Sequence, residues 1–180
     1  VRRDAFLAAA KSALAFREDA AARDDVRATT GIVNVSPGIV TAFNGHCEVS
    51  LDQRALDAGV LADMLEKAKD ASERAAREED VEVEWEKVWE IEPRPFDDGL
   101  IDMADEAVRE VAGSSHKLAS GPLHDAAEMA PLMPTVMLFA KSLRGLSHTK
   151  EEDTPEEDIE LSVQAVHGLA LKAMQWVGDR

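Results

Sequence analysis

The chain has 180 residues, 45% of them hydrophobic and 31% charged, enough for one ordinary domain or two small ones. Its 36 acidic against 20 basic residues give a net charge of −16, so the general field of its surface repels a phosphate backbone and an anionic membrane face, which excludes nonspecific nucleic-acid binding. The single cysteine, Cys47, can form no internal disulfide and fits no CxxC pattern, and no run approaches the ~20 consecutive apolar residues of a membrane span; the expectation is a cytoplasmic protein without a membrane partner.

The sequence opens on Val1, which leaves a whole protein or a piece of one equally open, and its first residues are basic without the apolar core of a secretory signal. From Arg3 to Arg23, Phe6, Ala9, Ala10, Ala13, Phe16 and Ala20 recur at helical spacing and predict a helix with one buried stripe. Ala28 to Gln53 is rich in β-branched residues and broken by Ser36-Pro37-Gly38 and by Asn44-Gly45, a hairpin-turn signal, so two or three strands are expected. In the last of them Cys47, Val49 and Leu51 point one way, and His46, Glu48, Ser50, Asp52 and Arg54 the other. After Asp57, an N-cap, Leu61, Met64, Leu65, Ala68, Ala71 and Ala75 trace a second amphipathic helix. Val81 to Glu92 alternates Val81, Val83, Trp85, Trp89 and Ile91 with a row of glutamates, the pattern of a long strand with one apolar and one acidic face. Two helices on one face of a mostly antiparallel sheet would bury both stripes, an α+β arrangement.

Pro93-Arg94-Pro95 is the best boundary in the sequence, because prolines cannot donate to a ladder and bias their neighbours towards extended linker geometry. Two regions are therefore expected, 1–93 and 94–180. In the second, a helix from Asp97 to Val111 is closed by Gly113, followed by a short strand near Lys117 to Ala119, a turn at Ser120-Gly121-Pro122 and a short helix starting near His124. An apolar strand from Thr135 to Ala140 and a loop to Asp153 lead to a last helix with Thr154 as N-cap, Pro155 in its first position and Glu157 completing a capping box. Its stripe is Ile159, Val163, Val166, Ala170, Ala173 and Val177. This rhythm suggests part of an α/β domain, but two buried strands cannot satisfy their outer edges or cover their faces, so this half should need further sheet from elsewhere.

Of the five histidines, His46, His116 and His167 have no partner at ligand spacing. His124 sits at a strand-to-helix turn, where the amides of a helix start can meet an anion and an imidazole can reach a ligand. His148 follows the apolar strand, the position at which binding crevices form in open α/β sheets. No HExxH or comparable spacing ties the two together. Arg54 ends the alternating strand on its polar face, where a guanidinium can grip a carboxylate in two-pronged fashion; the alternative is an ordinary salt bridge to Asp52, Asp57 or a glutamate.

Five words of the sequence occur in one order: Arg2-Arg3-Asp4-Ala5, Val35-Ser36-Pro37-Gly38, Leu51-Asp52-Gln53-Arg54, Ser120-Gly121-Pro122-Leu123-His124-Asp125-Ala126 and Gly145-Leu146-Ser147-His148. The series resembles the zinc-dependent amidohydrolases that include N-carbamoyl-L-amino-acid hydrolase, β-ureidopropionase and allantoate amidohydrolase, relatives of the aminoacylase-like metallopeptidases. The resemblance implies that residues 1–93 are an α+β lid and homodimerisation domain and that residues 94–180 are the C-terminal part of an α/β metallohydrolase domain holding two zinc ions, with manganese or cobalt as substitutes. It implies that His148 is a metal ligand, that His124 lines the substrate site and that Arg54 binds the substrate carboxylate. Thr41 stands where such proteins often carry a substrate-contacting asparagine, and Leu123 where a glycine is common, departures that bear on substrate identity. The other metal ligands and the general-base glutamate of such enzymes lie in an N-terminal half outside this sequence, so no catalytic residue is expected in this segment and the isolated chain is expected to be inactive on its ureido or amide substrate. The alternative is a noncatalytic dimerisation or interaction module derived from the same family.

Overall fold

The computed structural model describes residues 3–147 and 149–178, and its contacts divide the chain into two compact units, one ending at Pro93 and the other starting at Arg94. In the first unit, helix α1 (Ala5–Ala21) begins where the Asp4 carboxylate accepts the Leu7 amide at 3.1 Å, and helix α2 (Ala58–Glu79) where Asp57 accepts the Val60 amide at 2.8 Å. The two helices pack antiparallel, with Lys11 bonded to Glu78 and Glu79 near one end and Arg23 to Asp63 near the other. Small residues on the facing surfaces let them approach closely. The buried face of α1 is Ala8, Ser12 and Phe16, a clean i, i+4, i+8 row, so Phe6 of the expected stripe remains 45% exposed. On α2 the buried set Met64, Ala68, Ala71 and Ala75 agrees with the periodicity, joined by Ser72 and Ala76.

Beneath the helices lies one antiparallel ribbon in two ladders. Strand β1 (Arg27–Thr29) pairs with β4 (Asp52–Arg54), and β2 (Val33–Ser36) with β3 (His46–Val49). Thr29 faces Asp52 and Val33 faces Val49, so three residues on one arm, 30–32, oppose two on the other, 50–51: a bulge, at which the Ser50 hydroxyl accepts the Ile32 amide at 2.9 Å. The extra residue falls on the first arm, which leaves the alternation of the second uninterrupted, and Cys47, Val49, Leu51 and Gln53 all turn inward. Helix α1 packs on β1 and β3, and α2 on β4; Phe16, Ala68 and Ala71 form the core, with Ala28 and Leu51 against it.

The hairpin connection differs from the expected two-residue turn. It runs from Pro37 to Gly45, Gly45 keeps a negative φ, and Asn44 acts as a clasp: its side-chain oxygen accepts the Gly38 amide and its carbonyl accepts the Ala5 amide, both at 3.0 Å. A type I′ turn requires positive φ at both central residues, and the asparagine is used here for its side-chain acceptor instead.

The expected strand Val81–Glu92 is not part of any ladder. From Val81 to Pro93 the chain passes without helix, turn or bend, and beyond the Val81 amide, which caps α2 through Ala76, its backbone makes no backbone hydrogen bond among the described residues. Trp85 anchors it, with its ring 6.2 Å from that of Phe16 and its indole N–H donating to the Ser72 hydroxyl at 3.0 Å. Strand assignment needs a paired neighbour, and this segment has none among the described residues.

In the second unit, helix α3 (Asp98–Ala112) starts at Asp97, whose carboxylate accepts the Leu100 amide, and stops at Gly113 with φ 76°. Helix α4 (Asp125–Met129) is one short turn, and helix α5 (Glu156–Gly178) runs antiparallel to α3. The contact uses small residues: a side chain at Gly168 would lie 3.6 Å from the Ala107 methyl, and one at Gly99 would lie 3.8 Å from the Trp176 ring. The expected α5 stripe is therefore not the packed one; Ala165 is buried, while Ile159, Val163, Val166 and Val177 are between 47% and 64% exposed. The expected strands near 117–119 and 135–140 likewise appear as unpaired stretches, tied only at points such as the Asp97 amide on the Thr135 carbonyl. No helix among the described residues is long and apolar enough to cross a membrane.

Candidate functional site

Arg54 closes β4, where Gln53 and Asp52 help to fix its position. Gln53, whose side chain turns inward with the apolar row, donates to the Met64 carbonyl of α2 at 3.1 Å and so ties β4 to the helix. Arg54 then donates from Nε and Nη2 to the two oxygens of Asp52 at 2.8 and 3.1 Å. That bidentate bond raises the pKa of the guanidinium further, ensuring a permanent positive charge on a half-exposed side chain. The salt-bridge alternative of the sequence is thus realised, and the Asp52 carboxylate occupies the Nε–Nη2 edge, the one that a substrate carboxylate would take in two-pronged fashion. Gln53 was not singled out by the sequence reading; the available signal was a polar residue in phase with Cys47, Val49 and Leu51.

Thr41 is exposed within the long connection, beside the turn in which the Ala42 amide reaches the Ile39 carbonyl. The ribbon from His46 to Arg54 separates this tip from Arg54, a span of roughly 26 Å at about 3.3 Å per residue. Within one copy the two residues lie at opposite ends of the same hairpin and are not brought together on a small ligand. Cys47, on the inward face between them, has its thiol pKa pushed up by burial and is poorly suited to act as a nucleophile.

In the second unit, His124 is the residue immediately before α4, and its side chain makes no capping bond. The Ser120 hydroxyl donates to the Pro122 carbonyl at 2.8 Å and shapes the preceding turn. The imidazole stands edge-on to Phe139, ring centres 6.2 Å apart at 66°, and its Nε2 is buried with no hydrogen-bond partner among the described residues. A buried ring nitrogen left unpaired costs about 1–3 kcal/mol, which a ligand group at hydrogen-bond distance would recover. Phe139 too escaped the sequence reading, being one aromatic in an apolar run.

His148 lies outside the described residues. Among the described residues no three His, Cys, Asp or Glu side chains come together as a metal-holding group, so those residues do not by themselves fit a zinc centre. His46, His116 and His167 are all exposed.

With this geometry in view, comparison with known proteins gives a consistent picture. The profile of peptidase family M20/M25/M40 matches residues 8–172. N-carbamoyl-L-amino acid amidohydrolase of Geobacillus stearothermophilus is 28% identical over 93% of this chain, and allantoate amidohydrolase of Bacillus subtilis is 28% identical over 83%. A crystal structure of an amidase of the hydantoinase/carbamoylase family from Burkholderia multivorans superimposes with a TM-score of 0.86 at 30% identity over 93% of the chain. The chain spans about two-fifths of the length of these relatives: 41% of the Geobacillus protein, 36% of the Bacillus protein and 41% of the Burkholderia chain.

Proposed function

The chain belongs to peptidase family M20/M25/M40, and from that premise we propose that it is part of a hydrolase of linear amide or ureido carbon–nitrogen bonds, of the N-carbamoyl amino acid, ureidopropionate or allantoate type. The observation that carries this reading is the match of nearly the whole chain to one contiguous share of carbamoyl- and allantoate-hydrolysing relatives, in sequence and in fold. The first unit serves as a lid and homodimer contact, and the second contributes to the catalytic domain. Arg54 grips the substrate carboxylate in exchange for Asp52, and His124 offers its Nε2, which has no partner among the described residues, to the substrate. Thr41 meets substrate from the tip of the hairpin; because a full ribbon length separates it from Arg54 in one copy, the two act on one substrate only if they come from different copies of a dimer. His148 is this chain's one zinc ligand in the proposal. The chain spans about two-fifths of its relatives, and on this reading the 180-residue chain alone hydrolyses nothing measurable.

The test is a chimera in which this chain replaces the matching share of the Geobacillus stearothermophilus relative. It should release ammonia from an N-carbamoyl amino acid, with bound zinc lowered by His148→Ala. Arg54→Ala should raise KM by about 10- to 100-fold, corresponding to the ~1.5–3 kcal/mol of a charge-assisted pair. A folded chimera that binds zinc yet turns over neither carbamoyl nor allantoate substrates would favour the noncatalytic module.

A further inference from the structure

The ladder that ends at Arg54 carries a second guanidinium. In the register of β1 with β4, Arg27 stands directly opposite Arg54, and Thr29 opposite Asp52. Residues opposite one another in an antiparallel pair point to the same face, with Cβ atoms about 5 Å apart. For these two pairs it is the solvent face, because Ala28, between Arg27 and Thr29, packs on the core, and Gln53, between Asp52 and Arg54, bonds to α2. Both arginines are exposed. The side chain proposed to grip the substrate carboxylate is therefore one half of a cross-strand pair of like charges.

Such a pair destabilises a ladder, and it stands here in a chain with 36 acidic and 20 basic residues. Asp52 answers one of the two, binding Arg54 within its own strand. Arg27 instead donates from Nη1 to the Val26 carbonyl at 2.7 Å, a neutral acceptor, and pairs with no carboxylate among the described residues. That bond orients the side chain and leaves the other donors of its fork for a ligand. We infer that Arg27 is a specificity residue and that the substrate carries a second carboxylate, a short spacer away from the one Arg54 takes, as in the N-carbamoyl derivative of an acidic amino acid. Two carboxylates on an aspartate or glutamate skeleton match the reach of two guanidiniums on neighbouring strands, and each can form a charge-assisted pair. The inference rests on the reading of Arg54 as the carboxylate contact and adds to it the class of side chain that the substrate bears.

The test compares N-carbamoyl-L-glutamate with N-carbamoyl-L-glutamine, which have the same length and differ in the charge of the second group. In the Geobacillus stearothermophilus chimera, kcat/KM should favour the glutamate compound by about tenfold, through KM, as one charge-assisted pair provides. Added salt should shrink that preference. Arg27→Gln should abolish it with an unchanged circular dichroism spectrum, and Arg27→Lys should restore part of it. In the 180-residue chain, the side-chain Nε–H resonances of Arg27 and Arg54 should both shift on titration with the glutamate compound, and that of Arg54 alone with the glutamine compound. Equal use of the two compounds, or a preference that survives Arg27→Gln, would overturn the inference and leave the hydrolase reading standing. A chimera that cleaves neither compound counts against the hydrolase reading instead; the arginine resonances then decide the inference, which falls if the glutamate compound leaves Arg27 unmoved.

Discussion

At the scale of single residues, the two proposed substrate contacts are prepared in opposite ways. Arg54 is held in advance by Asp52 and by the neighbouring Gln53 tether, so its charge is both permanent and oriented before any ligand arrives. His124 instead has a buried nitrogen that no acceptor or donor meets among the described residues. Replacing such a group by an apolar one of similar shape removes the desolvation penalty and keeps the packing on Phe139. His124→Phe is therefore expected to raise the stability of the chain by about 1 kcal/mol in urea denaturation, while lowering turnover of the chimera. A loss of stability would mean that the imidazole has a structural partner and is not held in reserve for substrate.

Among the elements, α5 shows how periodicity and packing can separate. Its β-branched stripe is the more hydrophobic face, yet α3 sits on the small-residue face around Ala165 and Gly168, where the backbones come closest. Substitutions should sort the two faces. Gly168→Ala fits at ordinary contact distance and gains helix propensity, so it should be neutral or stabilising by up to about 1 kcal/mol. Gly168→Leu overfills the contact and should cost about 1–3 kcal/mol. Val163→Lys, on the bare stripe, should change the stability of this chain by less than about 0.5 kcal/mol. Thermal or urea unfolding of the three variants checks the assignment. A large cost at Val163 would place the packing interface on the predicted stripe after all. In the first unit the agreement is close for α2, whose Met64, Ala68, Ala71 and Ala75 are buried as expected, whereas on α1 only Phe16 of the expected stripe is buried.

For the molecule as a whole, the recurring feature is extended chain without ladders: 81–92 in one unit, and 114–120 and 134–142 in the other. Helical hydrogen bonds are local and form within the segment, whereas a strand's bonds depend on a neighbour. Hydrogen exchange on the isolated chain should divide accordingly, with amides in the centres of α1, α2, α3 and α5 protected and those of the three extended segments exchanging near the unfolded rate. Protection spread evenly over both classes would contradict the architecture. The same feature accords with a chain that spans about two-fifths of its relatives, since the sheet edges, the bare α5 stripe and the proposed zinc ligand set all call for further protein.

The sequence by itself determined the long helices, the Asp57 cap that starts α2 and the Gly113 stop of α3, because these depend on residues within one turn of each other. It also determined the in-and-out order of 46–54, the contrast around Pro93-Arg94-Pro95 and the motif words that mark the family. Tertiary structure decided what alternation and periodicity leave open. It set which face of α5 is covered, placed a bulge at 30–32 and used Asn44 as a clasp, not as a tight turn. It engaged Arg54 with Asp52 and left Val81–Glu92 unpaired despite its strand pattern. These outcomes depend on what lies opposite a residue in space, and an amphipathic pattern specifies a face without naming the surface that covers it.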